Sequence, residues 1–236
     1  MRIDKVLSEL GVCTRRDAAK IAKSGGILID GAPIKDVSKH IDPEKCSIVF
    51  LGRELSYKKF TYVMLNKPEG YVSATDDKSL PYVTELLPEE LRRRELFPVG
   101  RLDRDTVGLM ILTNNGQLAH SVLSPKHHVE KVYRFTAAEP VKIGAEDIFR
   151  DGLTLADGYE CKSAILTLDE GRTSGEIVLT EGKYHQIKRM IASTNNRVTS
   201  LERISFGGIA LDTSLSRGEW RYLTDEEISL LEGASK

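Results

Sequence analysis

Apolar positions open the chain at helical spacing. Val6, Leu7 and Leu10 fall on one stripe of Asp4-Lys5-Val6-Leu7-Ser8-Glu9-Leu10, and Gly11 supplies a stop after it. A short helix is expected there. Thr14 is placed to cap a second helix through Asp17 to Lys23, which buries Ala18, Ile21 and Ala22 while Arg16, Lys20 and Lys23 share another face at i, i+4 and i+7. That face is a cationic ridge. The period then changes: Ile27-Leu28-Ile29 and Ala32-Pro33-Ile34 flank Asp30-Gly31, a dipeptide suited to the left-handed torsions of a tight hairpin turn. The expected module is helix, helix, hairpin.

The stretch from Arg53 to Phe60 is polar and reads as a connector, which puts a boundary near residue 58 between a small domain, 1–58, and a larger one, 59–236. Beyond it, Thr61-Tyr62-Val63-Met64-Leu65 is a short β-rich run ended by Asn66-Lys67-Pro68-Glu69-Gly70, whose Pro and Gly break regular structure. Further strands are expected at Val107 to Thr113, Tyr133 to Ala137, Ala164 to Leu168 and Ser174 to Leu179. Helices are expected at Val83 to Leu87, Gln117 to Leu123, Tyr184 to Ala192 and the end of the chain, where Thr224-Asp225-Glu226-Glu227 forms a capping box ahead of Ile228, Leu230 and Leu231. The order is α+β, without the regular βαβ rhythm of a doubly wound sheet.

Composition narrows the class. With 236 residues, 40% of them hydrophobic, the chain can bury a full core. The opening Met1-Arg2-Ile3-Asp4-Lys5 lacks the apolar run of a signal peptide, and no stretch approaches the roughly 20 apolar residues that cross a bilayer, so a soluble, cytoplasmic protein with no membrane association is expected. Cys13, Cys46 and Cys161 stand apart with no histidine at metal-ligand spacing, which argues against disulfides and structural zinc. The whole chain carries 34 Lys/Arg against 35 Asp/Glu, yet its first 60 residues carry twelve against eight. The basic end suits a polyanion partner.

The densest run of charge is Gly100-Arg101-Leu102-Asp103-Arg104-Asp105-Thr106-Val107-Gly108, leading straight into Leu109-Met110-Ile111-Leu112. Charged side chains beside a buried strand are costly unless partnered. On pattern alone two readings stand. The four charges can neutralise one another at a loop, or Asp103 and Asp105 can act as acid and base on a glycosidic bond.

Two resemblances change the weighting. The string Arg2-Ile3-Asp4-Lys5-Val6-Leu7, Gly11, Thr14-Arg15-Arg16, Ala18-Ala19 and Gly26-Ile27-Leu28-Ile29-Asp30-Gly31 resembles the S4 RNA-binding domain over roughly the first 50 residues, agreeing in helix spacing, basic positions and hairpin turn. The larger domain resembles the RsuA-type pseudouridine synthases of ribosomal RNA. The matching strings are Leu65 to Gly70, Gly100 to Leu109, Leu112-Thr113-Asn114-Asn115-Gly116, Lys131-Val132-Tyr133 and Glu181-Gly182-Lys183-Tyr184-His185-Gln186-Ile187-Lys188-Arg189-Met190. Arg203-Ile204-Ser205-Phe206-Gly207-Gly208-Ile209 and Gly218-Glu219-Trp220-Arg221-Tyr222-Leu223-Thr224 look like the family's closing motif.

What the resemblances imply is specific. The architecture is a small S4-like α/β RNA-binding module followed by a pseudouridine synthase domain with a mixed, mainly antiparallel sheet, flanking helices and a cleft. Asp103 is the nucleophile, Tyr133 packs against the target base, and Lys188 holds the Asp103 carboxylate ionised. Arg189, adjacent on the same helix, points about 100° away, so only one of the two faces the aspartate, and Lys188 is favoured. RNA contacts are expected from Arg15, Arg16, Lys20 and Lys23 on the ridge, and from Arg101, Lys126, His127, His128, His185, Gln186 and Arg189. The isomerisation transfers no external group and changes no oxidation state, so neither cofactor nor metal is expected.

Relatives acting on large-subunit RNA carry Asn-Arg where this chain has Tyr184-His185, which points to 16S rRNA, at the position conventionally numbered 516. The protein is expected to act as a monomer on ribosomal RNA, naked or in a partly assembled small-subunit particle. Three readings compete: a synthase acting on 23S rRNA, a non-catalytic S4-type ribosome-assembly protein, and a glycosidase-like hydrolase. The second would have lost the aspartate, the tyrosine or the basic partner, and none is lost. The third would need no RNA-binding module.

Overall fold

The computed structural model describes residues 1–234, and in it the first apolar stripe folds as α1 (Ile3–Glu9), burying Ile3, Val6 and Leu7. α2 (Arg15–Lys23) follows, its first turn closed by Thr14, whose hydroxyl accepts the Asp17 N–H at 3.1 Å. Ala18 and Ala22 face the core, and Arg15, Arg16, Lys20 and Lys23 are exposed. β1 (Ile27–Ile29) and β2 (Ala32–Pro33) meet through Asp30 and Gly31 at φ 50° and 77°, the paired left-handed torsions of a tight hairpin. β3 (Ile48–Phe50) and β4 (Arg53–Leu55) complete an antiparallel sheet ordered β2-β1-β3-β4. Arg53, expected to open a connector, instead opens a strand. β4 is held by its backbone pairing with β3 rather than by a buried face, so apolar alternation does not mark it.

This unit comprises Met1–Thr61 together with Leu87–Phe97, so the chain leaves it, returns, and leaves again. The returning segment carries α3 (Glu89–Arg92), and the Arg94 guanidinium donates to the Leu10 carbonyl at 3.3 Å. The helix expected at Val83 to Leu87 is a single 3-10 turn, Val83–Leu86, separated from α3 by Pro88. Proline disfavours the helical conformation in the residue before it, and that splits the segment in two.

The second unit, Tyr62–Leu86 with the chain from Pro98 onward, is built on a nine-stranded sheet. Its strands are β5 (Tyr62–Lys67), β6 (Phe97–Pro98), β7 (Val107–Thr113), β8 (Lys131–Ala137), β9 (Ile165–Leu168), β10 (Ser174–Leu179), β11 (Val198–Phe206), β12 (Ile209–Ala210) and β13 (Trp220–Tyr222). The order is β13-β5-β7-β11-β8-β10-β9, with β12 on β11 and β6 on β7. Along that path only β7 with β11 is parallel. Helices α4 (Gly116–Leu123), α5 (Ala145–Asp151), α6 (Gln186–Ala192) and α7 (Asp225–Gly233) accompany it, and the Thr224–Glu227 capping box opens α7 as expected.

The parallel junction depends on Gly108. A Cβ there would lie 2.3 Å from the Arg203 carbonyl oxygen, and the residue sits at φ 97°, so a side chain would force β7 and β11 apart. β11 was not expected from the pattern, because Glu202 and Arg203 interrupt its apolar positions. Arg203 is nevertheless buried, its Nε donating to the Leu109 carbonyl at 2.8 Å and its guanidinium lying 5.1 Å from the Phe206 ring centre. Main-chain and ring contacts replace part of the water it gave up, and its Nη2 is left buried without a hydrogen-bond partner.

Candidate active site

The site begins at the end of β5. All six residues of that strand are buried, and the last is Lys67, whose side chain is fully enclosed. Its ammonium donates to four main-chain carbonyls: Pro68 at 3.1 Å, Asp103 at 3.1 Å, Arg104 at 3.3 Å and Thr106 at 2.8 Å. Burial pulls its pKa down to about 8, with the nearby Asp105, Asp103 and Glu69 charges opposing that shift. One side chain thus gathers the backbone of the charged loop ahead of β7. Two further ties complete the anchoring. The Gly70 N–H donates to Arg104 O at 2.8 Å, and Ser73 bridges both main-chain groups of Leu102, donating to its carbonyl at 2.7 Å and accepting from its N–H at 2.9 Å.

On this fixed loop the Asp103 carboxylate is partly exposed and faces a nitrogen-bearing side chain of the 185–188 segment at each oxygen. Lys188 Nζ of α6 lies 3.3 Å from Oδ2, and His185 Nε2 lies 3.6 Å from Oδ1. Lys188 also donates to Asp105 at 2.6 Å. Burial works to lower the Lys188 pKa, but the bond to Asp105 and the charge of Asp103 outweigh it and the net shift is upward. Asp105 is held below its ordinary value by the same Lys188 hydrogen bond. The charged loop therefore does not neutralise itself with its own arginines; its carboxylates share a lysine from a helix more than eighty residues away.

α6 starts later than expected, at Gln186, because His185 adopts a left-handed conformation at φ 48°. Gln186 is buried, its amide oxygen accepting the Lys183 N–H at 2.9 Å and its nitrogen donating to Glu181 at 2.6 Å. Both ends of the amide of Gln186, a residue expected to contact RNA, are thus engaged in closing its own loop. Arg189 pairs with Asp157 and donates to the Tyr184 carbonyl, so it faces away from Asp103.

Tyr133 is buried on β8, opposite Ile177 of β10 and Arg203 of β11, and its hydroxyl makes no hydrogen bond to Asp103 or Lys188. Arg101 and Lys126 are exposed, His127 is half-buried, and His128 lies 3.2 Å from Lys162 across its Nδ1. Arg15, Arg16, Lys20 and Lys23 belong to the other unit, where only Lys20 forms an ion pair, with Asp17. The anchoring role of Lys67 was not read from the sequence. Its signal is a lysine ending an otherwise apolar β run, where only a full set of acceptors makes the charge tolerable. Among the described residues no group of three or more His, Cys, Asp and Glu is arranged to hold a metal ion, and no helix is long and apolar enough to cross a membrane.

Comparison with known proteins fits this geometry. Residues 1–45 match the S4 domain model and residues 61–193 match the model described as RNA pseudouridylate synthase. The uncharacterized RNA pseudouridine synthase YtzG of Bacillus subtilis (strain 168) is 44% identical over 236 residues, covering 98% of each chain. The ribosomal small subunit pseudouridine synthase A of Escherichia coli (strain K12) is 38% identical over 232 residues, covering 97% of this chain and 99% of that one. A crystal structure of a pseudouridylate synthase matches with a TM-score of 0.69 at 37% identity, covering 98% of this chain and 99% of the other.

Proposed function

Because the chain belongs to the RNA pseudouridylate synthase family and carries an S4 domain ahead of its catalytic domain, we propose that it isomerises one uridine of 16S rRNA, at the position conventionally numbered 516, with Asp103 as nucleophile. The observation that carries this reading is the Asp103 carboxylate, set on a loop whose backbone is tied down by Lys67 and paired through Lys188. A nucleophile must stay ionised and keep its place while the substrate rearranges, and these two lysines divide those tasks.

The chemistry balances without an external reagent. The C1'–N1 bond breaks with its electron pair passing to the uracil ring, the ring turns, C5 bonds to C1', the C5 proton is released, and the freed N1 takes up a proton in its place. Asp103 shortens each barrier by capturing the intermediate, at the ribose or at the base, and it leaves unchanged. Tyr133 packs against the ring, and its hydroxyl assists removal of the C5 proton. A stacked uridine is out of reach of a carboxylate, so the nucleotide is flipped into the site at a cost of a few kcal/mol, offset by contacts of the RNA with both domains. Phosphate contacts come from Arg15, Arg16, Lys20 and Lys23.

The target assignment is supported by relatives such as the Escherichia coli protein, whose name specifies the small subunit. We assign the chain to the cytoplasm, acting as a monomer on rRNA that is naked or in a partly assembled particle. The test is chemical mapping of pseudouridine in rRNA from cells with and without the gene. Loss of a single pseudouridine at position 516 is expected; loss in 23S rRNA would move the target while sparing the chemistry, and no loss in either RNA would overturn the reading.

A further inference from the structure

Tyr184 is three-quarters exposed, one of the few large hydrophobic side chains described in the second unit that face solvent to this extent. A single exposed hydrophobe is ordinary on a protein surface. Tyr184 differs because its ring is fixed and because of what fixes it. The ring stacks on the imidazole of His185, with centroids 3.8 Å apart and planes 19° from parallel. Consecutive side chains point to opposite sides of a strand and about 100° apart on a helix, so neither conformation stacks neighbours. The left-handed torsion at His185, φ 48°, brings the two rings together. Such a torsion in a residue other than glycine costs energy and is retained where its surroundings enforce it.

Here the enforcing contacts are visible. Gln186 closes the loop onto Lys183 and Glu181, the Gln186 N–H donates to the Lys183 carbonyl at 3.1 Å, and Arg189 donates to the Tyr184 carbonyl at 3.3 Å. The far edge of the imidazole reaches Asp103, with Nε2 3.6 Å from Oδ1. One face of the Tyr184 ring is thus covered by His185, and its remaining surface opens to solvent beside the nucleophile.

From this arrangement we infer that Tyr184 is a stacking platform for an unpaired nucleobase immediately flanking the target uridine. The inference rests on the proposed RNA pseudouridine synthase function. Flipping a nucleotide strips its neighbours of a stacking partner, and an exposed aromatic face held next to the reacting aspartate replaces that partner without demanding a particular base. The target itself is excluded as the stacked base, because its ribose and ring must reach Asp103. Tyr184 is therefore a positioning residue: it retains the opened RNA and makes no contact with the reacting atoms.

The full chain and its Tyr184→Phe, Tyr184→Leu and Tyr184→Ala variants are compared on transcripts of 16S rRNA, measuring initial rates of pseudouridine formation against RNA concentration. Phe keeps the aromatic face and is expected to stay within about twofold of wild type, whereas Leu and Ala are expected to raise KM by about tenfold or more, the cost of losing one base–aromatic stack. As a second readout, 2-aminopurine is placed at the nucleotide on either side of the modified uridine. Its fluorescence should be quenched on binding at one of the two positions by wild type and Tyr184→Phe, and not by Tyr184→Leu. A Leu variant that matches wild type in KM and quenching overturns the inference. So does a loss confined to kcat, which would mean that Tyr184 acts only by propping His185. If wild type modifies 23S rRNA instead, the comparison moves to that transcript and only the target assignment fails. Absence of pseudouridine on both RNAs, each offered as a naked transcript and as a partly assembled ribosomal particle, sinks the function reading and this inference together.

Discussion

The ammonium of Lys67 donates to the main-chain carbonyl of Asp103 at 3.1 Å, so this lysine holds the aspartate by its backbone and leaves its carboxylate to others. The same ammonium reaches three further carbonyls, Pro68, Arg104 and Thr106. An ordinary loop makes such bonds with water; here one buried charge fixes four carbonyls at once.

Lys67→Met should therefore cost stability and turnover together. The lost donor leaves loop carbonyls unsatisfied, a penalty of about 1–3 kcal/mol, and the loop carrying Asp103 relaxes. The pH dependence has a definite sign. Lys67 titrates at about 8 in the folded protein against 10.5 for an ordinary lysine, so between those values the unfolded chain binds more protons than the native one. Stability from this group then rises with pH across that window. Denaturant unfolding should show the gap between wild type and Lys67→Met widening from about pH 8 to pH 10. A gap that narrows would show that the surrounding carboxylates, not burial, dominate this lysine.

Asp103→Asn preserves shape while removing the carboxylate proposed as nucleophile, and turnover is expected below about one per cent of wild type with folding and RNA binding nearly intact. Asp105→Asn should be milder, since it leaves Lys188 to pair with Asp103 alone. Single-turnover rates on rRNA distinguish the two aspartates. Equal losses would argue that they work as a pair, as in the glycosidase reading.

The cationic ridge of α2 is tested by substitution rather than by deletion. Removing residues 1–58 would also strip the segment Leu87–Phe97 of the unit to which it belongs, with Leu87, Leu91 and Leu96 all buried there at 2% exposure or less. Arg16, Lys20 and Lys23 are exposed, so changing all three to Gln should leave the fold unaltered. RNA affinity measured across a salt series should fall, and its logarithmic slope should shrink by about 2 if the three side chains contact phosphate. An unchanged slope would remove the ridge from the RNA interface.

Local rules were sufficient wherever one element satisfies itself. The Thr14 cap, the Asp30-Gly31 turn, the Thr224 capping box and β10, Ser174–Leu179, stand where the pattern put them, because caps and turns are decided within four residues and an alternating strand declares its buried face. The pattern was silent where partners are distant. β4 is a strand only through β3, and β11 hides Arg203 inside the sheet only because Leu109 and Phe206 receive it.

The same division runs through the site. By itself the sequence determined that a loop of mixed charge precedes a buried strand, that a Lys-Arg pair lies on a later helix, and that their strings resemble one enzyme family. It left open whether the loop charges neutralise one another, since neighbours in sequence are the cheapest partners to imagine. Tertiary structure decided that Lys188 bridges Asp103 and Asp105 while Arg189 turns to Asp157, and that both ends of the Gln186 amide close a loop. It also decided that Lys67, a single cation ending an apolar strand, is enclosed by the carbonyls around Asp103. The physical reason is one of range. Periodicity records which side of an element is dry, but the partner of a buried charge is chosen by which backbone the fold brings within about 3 Å, and no local pattern carries that information.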